Sequence, residues 1–337
     1  MNGFKDRFFD FLKEEMIFSI SLILAAVSCL FVKPSMNYLN YINWETIALL
    51  FVIMLVVEVL KNLSVFEILV RKLLKKVRNS RSLVCFLVFS CFFSSIFITN
   101  DVSLIVFVPF TLLILKRIEK TDLIILTVSL ETIAANIGCM VLPIGAPHNI
   151  VLYTASNIPF ESFFMILLPY IIVSAIILLA LTFLVSSDDI RLGKIEKAEV
   201  DMENFFKRVF SGIDYFLLLT FIALFVLIGN LECIPFFNLF FKSHIVGNEV
   251  LWGVVASQFI SNVPAAILLS GFSANYEAII IGINIGGLGT LVASMANLIS
   301  YRIVQKEFNG LKIRYLVEFT ILNALFLVIL LGVYFLT

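Results

Sequence analysis

The chain carries one pattern twice: NIGCMVLPIGAPHN at residues 136–149 and NIGGLGTLVASMAN at residues 284–297. Each copy begins with Asn-Ile-Gly and ends with a second Asn, thirteen residues after the first. A tyrosine follows four residues later in both copies, at Tyr153 and Tyr301. Because glycine and proline interrupt runs that are otherwise apolar, the two copies predict two broken helices.

An apolar stretch with a polar cluster near its middle precedes each copy. The stretches are 82–115 and 249–271, and their clusters are Thr99-Asn100-Asp101 and Ser261-Asn262-Val263-Pro264. The second stretch has 23 residues, too few to cross the bilayer twice, so it spans once or enters and leaves on one face. Irregular backbone is tolerated at membrane depth only inside protein or beside a water-filled cavity. We predict two re-entrant hairpins.

The composition places the whole chain in lipid. Of 337 residues, 61% are apolar and 14% are charged, with a mean hydropathy of +1.06. A soluble domain carries roughly a quarter charged residues, so this chain could not cover its surface with polar groups. The net charge of zero argues against a nucleic-acid partner. Five scattered cysteines and two lone histidines predict no metal or redox centre.

The basic residues predict the sidedness. Seven crossings are predicted, at 16–32, 42–60, 123–152, 163–185, 214–231, 278–300 and 315–336. With a cytoplasmic N-terminus and two hairpins that do not cross, 22 of the 24 basic residues lie inside, and Lys33 and Lys242 lie outside. Counting either hairpin as a crossing spoils this asymmetry. We predict a multi-pass protein of the cytoplasmic (bacterial inner) membrane with an external C-terminus.

Each half reads as span, surface helix, hairpin, broken span and span. Three crossings are an odd number, so the second copy begins on the opposite face, as in the inverted repeats of secondary transporters. We therefore predict an all-α polytopic membrane protein with two inverted-topology repeats and one extra N-terminal span. The predicted divisions are the tail and first span at 1–41, repeat 1 at 42–185 (surface helix 64–78, hairpin 82–115, broken span 123–152), a cytoplasmic linker at 186–213, and inverted repeat 2 at 214–337 (surface helix 235–246, hairpin 249–271, broken span 278–300).

Broken helices make backbone groups available for ligands. Free N–H groups at a helix start attract anions, whereas free carbonyls and Asn oxygens suit a hard cation such as sodium. Packing between helices is the alternative role, and it is favoured for isolated small residues such as Gly287 and Ser294. The candidate ligands are the Asn residues of the two blocks and of the two hairpin tips, Asn100, Asn136, Asn149, Asn262, Asn284 and Asn297.

Asp101 and Glu131 are the acids predicted deepest in the bilayer, where a charge costs roughly 2.5–3.5 kcal/mol. The repeat places Val263 and Ile279 at the equivalent positions, so the negative charge belongs to the first half. We expect Asp101 to coordinate a coupling cation or to carry a coupling proton. Glu131 is either a second coupling group or a neutral, hydrogen-bonded acid. His148 either titrates or packs.

These segments resemble a known group of transporters. The segments SSIFITNDVSLIVFVPFTLLIL at 94–115 and QFISNVPA at 258–265, with the two Asn blocks, resemble the ion transporter superfamily. That group includes arsenite permeases, sodium–proton antiporters, citrate transporters and divalent anion–sodium symporters. The Asn-Asp pair at 100–101 looks most like the arsenite-permease and citrate branches. The resemblance implies substrate and sodium binding by Thr99, Asn100, Asn136, Gly138 and Asn149 in one half, and by Ser261, Asn262, Asn284, Gly286 and Asn297 in the other.

The expected function is secondary active transport of a small inorganic or organic anion, coupled to sodium or protons, by alternating access. A sodium–proton antiporter is the first alternative, and a passive ion channel is the second. We expect no enzyme, because no hydrolase or protease motif is present. The expected partners are the anion, the coupling cation and the bilayer. Bound sodium is the one candidate cofactor, and the resemblance implies a homodimer.

Overall fold

A computed structural model describes residues 16–63, 77–190, 204–308, 310 and 312–336. Within these ranges the secondary structure is helical, and no β-strand is present. Five described segments are long and apolar enough to cross a membrane. The predicted all-α polytopic class is therefore confirmed. The predictions for residues 1–15, for most of surface helix 64–78 and for the middle of the linker fall outside the described residues.

The first half consists of helices joined by short connections, with 3₁₀ turns at Thr121–Leu123 and Pro143–Gly145. Its helices are α1 (Met16–Ser28), α2 (Tyr38–Tyr41), α3 (Trp44–Asn62), α4 (Ser80–Phe97), α5 (Asn100–Arg117), α6 (Ile124–Gly138), α7 (Pro147–Ser156) and α8 (Phe160–Phe183).

The second half also consists of helices joined by short connections, with a 3₁₀ turn at Leu291–Ala293. Its helices are α9 (Phe205–Gly212), α10 (Tyr215–Cys233), α11 (Pro235–Ile245), α12 (Glu249–Ile260), α13 (Asn262–Phe272), α14 (Tyr276–Gly286), α15 (Met295–Glu307) and α16 (Lys312–Leu336).

Polar side chains determine where several helices begin. Asn79, Asp214 and Asn275 each accept a hydrogen bond from the backbone N–H three residues later, at 2.8, 2.8 and 3.3 Å. These bonds satisfy donors that a helix start leaves free. They set the starts of α4, α10 and α14.

The helix breaks occur in the same order in both halves. The α4–α5 pair breaks at Ile98-Thr99 and the α12–α13 pair at Ser261. The α6–α7 pair breaks over 139–146 and the α14–α15 pair over 287–294. All four interruptions lie where glycine, proline, asparagine or a hydroxyl residue interrupts an apolar run.

Both ends of each hairpin lie together. In the first, the Ser80 N–H at the start of α4 donates to the Asp188 carbonyl at 2.9 Å, and Lys120, just after α5, contacts the Asp188 carboxylate at 2.6 Å. In the second, the Ser273 hydroxyl, just after α13, donates to Glu249 at the start of α12 at 2.8 Å. Each hairpin therefore enters and leaves the bundle at one end.

Helices α3 and α10 pack antiparallel to each other. The contacts at the start and end of α10 therefore identify the two ends of the bundle. Gly212, just before α10, lies against the side chain of Glu58 near the end of α3. Gly229, near the end of α10, lies against the ring of Tyr41, just before α3.

The two hairpins enter from opposite ends. Gly271 of α13 lies against the carboxylate of Glu232, so the second hairpin opens where α10 finishes. Helix α8 starts at that same end, because Thr154, shortly before it, is hydrogen-bonded to Thr46 in the first turn of α3 at 2.6 Å. After its 24 residues, α8 reaches the opposite end, where Asp188 joins the two ends of the first hairpin.

Candidate functional site

The four Asn residues of the repeated blocks form two reciprocal pairs across the halves. The Asn136 amide donates to Asn297 Oδ1 at 2.8 Å, and the Asn284 amide donates to Asn149 Oδ1 at 2.7 Å. In each pair the first Asn of one block donates to the last Asn of the other. The two contacts are thus equivalent under an exchange of the halves.

The last Asn of each block also binds the broken backbone of its own half. Asn149 donates to the Cys139 carbonyl and Asn297 donates to the Gly287 carbonyl, both at 3.1 Å. These carbonyls occupy equivalent positions, three residues after the leading Asn. They follow the last turn of a helix, where carbonyls lack intrahelical partners. The Asn side chains therefore stabilise the two breaks.

Gly138 and Gly286 bring each broken helix against the hairpin of its own half. A Cβ on Gly138 would lie 2.1 Å from the Phe92 carbonyl oxygen, and one on Gly286 would lie 2.8 Å from the Gly253 carbonyl oxygen. No larger side chain fits without movement of backbone. Close helix packing accounts for both glycines, and their predicted ligand role stays a prediction.

The first hairpin tip places three predicted residues at the start of α5. Thr99 is extended, and Asn100, only 2% exposed, donates to Asn136 Oδ1 at 3.0 Å. Among the described residues, Asn100 Oδ1 and Asp101 Oδ1 are buried and have no hydrogen-bond partner. Buried polar atoms are normally paired, so these two acceptors are candidates for binding a cation or a proton.

The second hairpin tip is built differently. Ser261 has φ of 71° and ψ of 155°, a conformation that residues other than glycine rarely adopt. Its hydroxyl lies 3.5 Å from Asn262 Oδ1, and both residues are buried. A cavity of about 40 Å³ lies beside this tip. It is lined by Phe18, Asp214, Leu217, Thr220, Ser261, Val263, Pro264 and Met295.

The two halves satisfy equivalent Asn oxygens with different donors. Asn136 Oδ1 accepts from Asn100 at 3.0 Å and from the Ser294 hydroxyl at 3.3 Å. The equivalent Asn284 Oδ1 contacts His148 Nε2 at 3.3 Å. The positions equivalent to Ser294 and His148 in the opposite halves are both alanine. Ser294, which the sequence favours as a packing residue, therefore contacts the site.

Glu131 is the predicted residue that lies outside this cluster. It is fully buried on α6, where the Thr111 hydroxyl donates to Oε1. Its Oε2 has no hydrogen-bond partner among the described residues. The structure thus joins the first hairpin tip to the Asn blocks through Asn100 and places Asn262 of the second tip against Gly287. It leaves Glu131 apart from this cluster.

The family profile described as CitMHS, citrate transporter, matches residues 15–277. The chain belongs to this citrate transporter family. This family member is 34% identical over 325 residues to the uncharacterized transporter MJ0456 of Methanocaldococcus jannaschii, covering 86% of this chain and 88% of that protein. It is 28% identical to the inner membrane protein YbiR of Escherichia coli, covering 83% and 86%. A 46 kDa membrane protein of Mycobacterium leprae matches at 30% identity over 42% of this chain and 32% of its own length.

The predicted membership of the ion transporter superfamily is confirmed by this family and by its relatives. This protein is a multi-pass membrane transporter, and its family and relatives indicate transport rather than enzymatic activity. The ligand roles of the hairpin and block residues stay predictions.

Proposed function

We propose that this member of the citrate transporter family moves a small inorganic or organic anion across the cytoplasmic membrane by alternating access. The observation that carries the proposal is the reciprocal pairing of Asn136 with Asn297 and of Asn284 with Asn149 at 2.8 and 2.7 Å. In alternating access, each repeat takes up in turn the conformation that the other had before. Contacts between equivalent positions allow the two repeats to exchange their conformations in this way. The predicted repeats at 42–185 and 214–337 are the two parts that we propose to move.

Helix starts supply the attraction for an anion. Helices α5, α7, α13 and α15 all begin at the breaks around the Asn cluster. The first N–H groups of a helix lack internal partners and carry the positive end of its dipole. Such groups bind carboxylate or other oxyanions without a basic side chain. The family's name makes citrate the first anion to test.

The first hairpin tip supplies the site for a coupling ion. Asn100 Oδ1 and Asp101 Oδ1 lie on consecutive residues, and both lack a hydrogen-bond partner in the described part of the chain. A sodium ion or a proton bound there would satisfy these acceptors and reduce the repulsion between Asp101 and an anionic substrate. Sodium is the one bound cofactor that we propose. A homodimer remains part of the proposal.

Counterflow in proteoliposomes tests the transport proposal. Liposomes loaded with unlabelled anion should accumulate labelled anion of the same kind, with citrate, arsenite, phosphate and sulfate compared. A true ligand should also raise the thermal stability of the purified protein by RT ln(1 + [L]/Kd). An ion conductance without counterflow would instead support a channel.

The variant Asp101→Asn tests the coupling site. We expect its transport to lose its dependence on sodium or pH, because the amide can neither release a proton nor bring a negative charge to a cation. The matched control is Asp122→Asn, an exposed acid in the 3₁₀ turn that precedes α6. A sodium and pH dependence that Asp101→Asn leaves unchanged would exclude Asp101 as the coupling group.

Sodium–proton antiport is the second candidate function. It is favoured by two acids in one half, Asp101 and Glu131, each with a buried carboxylate oxygen that lacks a partner within the described chain. An antiporter would drive sodium flux from a pH gradient with no anion present. The absence of such flux, together with anion counterflow, would favour the anion transporter.

A further inference from the structure

Glu131 carries a carboxyl group in a place where the fold does not require one. Its equivalent in the second half is Ile279, and both residues are fully buried. An apolar side chain therefore satisfies the packing at this position. Packing does not explain the acid, so a chemical role must account for it.

The surroundings of Glu131 favour a neutral acid. The Thr111 hydroxyl of α5 is the single donor to this carboxyl group in the described part of the chain, at Oε1, and Oε2 has no hydrogen-bond partner there. Helices α4, α5, α8, α15 and α16 pack against α6. None of the charged side chains described on them forms an ion pair with Glu131. A buried carboxylate without a cation is disfavoured, so the carboxyl group holds a proton in this arrangement.

Two other titratable groups lie near Glu131, and both are ordinarily neutral near pH 7. Cys91 of α4 and Tyr315 of α16 lie within electrostatic range of the carboxyl group. The Tyr315 hydroxyl donates to the Ser300 hydroxyl of α15 at 3.0 Å. Helices α5 and α15 therefore present hydroxyl groups to this region, through Thr111 and Ser300.

Small polar groups lie on the α4–α5 interface beyond the first hairpin tip. Ser103, two residues after Asp101, is hydrogen-bonded to Ser94, and its hydroxyl lies 3.4 Å from Cys91 Sγ. Cys91 lies within electrostatic range of Glu131.

We propose that Glu131 is a proton-binding site, separate from the hairpin tips, that makes transport proton-coupled. This inference rests on the proposed transport function. When the packing around α6 opens, the O–H bond of the acid breaks and the proton passes to water, which leaves the carboxylate hydrated. When the packing closes, the carboxylate takes a proton from water before it is buried again. One proton is thus bound and released in each cycle.

The variant Glu131→Gln keeps the shape of the side chain and cannot release a proton. In proteoliposomes we expect anion accumulation driven by a pH gradient to fall to the level of empty liposomes. Exchange of labelled anion at equal pH should persist at a reduced rate, and its pH profile should lose the titration that Glu131 contributes. Proton-driven accumulation and a pH profile equal to those of the parent protein would overturn the proposal.

Glu249→Gln is the matched control. Glu249 is also buried, at 3% exposure, but both of its oxygens have donors. The Ser273 hydroxyl lies 2.8 Å from Oε1 and the Gly247 N–H lies 3.1 Å from Oε2. We expect this variant to keep proton-driven accumulation and its pH profile. A loss equal to that of Glu131→Gln would mean that any buried acid has this effect, which would overturn the specific role of Glu131.

Infrared difference spectroscopy across a pH step tests the proton site without any anion. The carbonyl stretch of a protonated carboxylic acid should be present in the reconstituted parent protein and in Glu249→Gln, and reduced in Glu131→Gln. An unchanged band in Glu131→Gln would overturn the proposal even if transport is observed. A reduced band in a protein that transports no tested anion would support the proton site and count against the proposed function.

Thr111→Val keeps the acid, and it tests the proton site even if Glu131→Gln does not fold. The Thr111 hydroxyl donates to Glu131 and so favours the carboxylate. Its removal should move proton release, followed by the infrared band, to higher pH. A band that titrates at the same pH as in the parent protein would overturn the assignment.

Discussion

Within the Asn cluster, Asn136 contacts three other side chains, whereas Asn284 and Asn297 also bind backbone carbonyls. It donates to Asn297 and accepts from Asn100 and Ser294, at 2.8, 3.0 and 3.3 Å. These partners come from the first hairpin and from the broken helix of the other half. One amide therefore joins three separate segments, and its loss would leave several buried polar groups unpaired.

Asn136→Ala should weaken both the site and the fold. A buried polar group left without its partner costs about 1–3 kcal/mol. We expect a lower melting temperature in detergent and at least a roughly tenfold weaker anion affinity, since about 1.4 kcal/mol is tenfold. Asn323→Ala is the control, because Asn323 is equally buried on α16 and donates to the Phe319 carbonyl of its own helix. An affinity equal to the parent's in Asn136→Ala would remove Asn136 from the site.

At the residue scale, the sequence pattern predicts which residues are candidates for the site, but not which of them touch. The paired Asn and Gly residues of the two blocks are evident from the repeat, and the structure places the Asn residues together. Ser294 resembles any small residue in a membrane helix, so its contact with Asn136 could not be predicted. The one local signal is that serine often precedes a helix, and Ser294 directly precedes α15.

At the scale of elements, Asp188 joins the two ends of the first hairpin by contacting both Ser80 and Lys120. The pKa of Asp188 is lowered because Lys120 and Ser186 donate hydrogen bonds to its carboxylate. The same contact with Asp188 raises the pKa of Lys120. The lowered carboxyl pKa means that this stabilisation is present at neutral pH and is lost as the pH falls through the range of Asp188. The raised lysine pKa means that it is also lost in strong alkali.

Asp188→Asn should loosen the end of α5 at neutral pH. Hydrogen exchange of the backbone over 118–121 should become faster, because Lys120 loses its partner. Exchange at Ser80 should change little, since Ser80 contacts the backbone of Asp188. In acid the parent protein should approach the variant. Asp189→Asn is the control, because no ion pair of Asp189 is described. Equal exchange over 118–121 in Asp188→Asn and the parent at neutral pH would contradict this role.

At the scale of the whole molecule, α10 offers a direct test of sidedness. Ser211, just before it, and Cys233, at its end, are both exposed. The basic residues predict that the first lies inside and the second outside. In intact cells an impermeant thiol reagent should label Cys233, and Cys233→Ser should remove most of the label. A cysteine introduced as Ser211→Cys in that background should react only after the membrane is permeabilised. The reverse pattern would invert the topology.

The sequence alone determined the elements and their order. Apolar length, the positions of glycine, proline and asparagine, and the spacing of basic residues act over a few neighbouring residues, so they can be read locally. The repeated blocks and the broken hairpins follow from these local effects. The inequality of the halves also follows, because Asp101 and Glu131 have no acidic counterparts.

Only the tertiary structure decided which groups meet. The pairing of Asn136 with Asn297, the contact of His148 with Asn284 and the isolation of Glu131 depend on how segments far apart in the chain pack. A hydrogen bond forms only within about 3.5 Å and a limited angle, and sequence spacing does not determine such distances between helices. The same packing buries Glu131 without an ion pair to any described residue. The sequence allows two roles for this acid, and its burial is what supports the proton site that we propose.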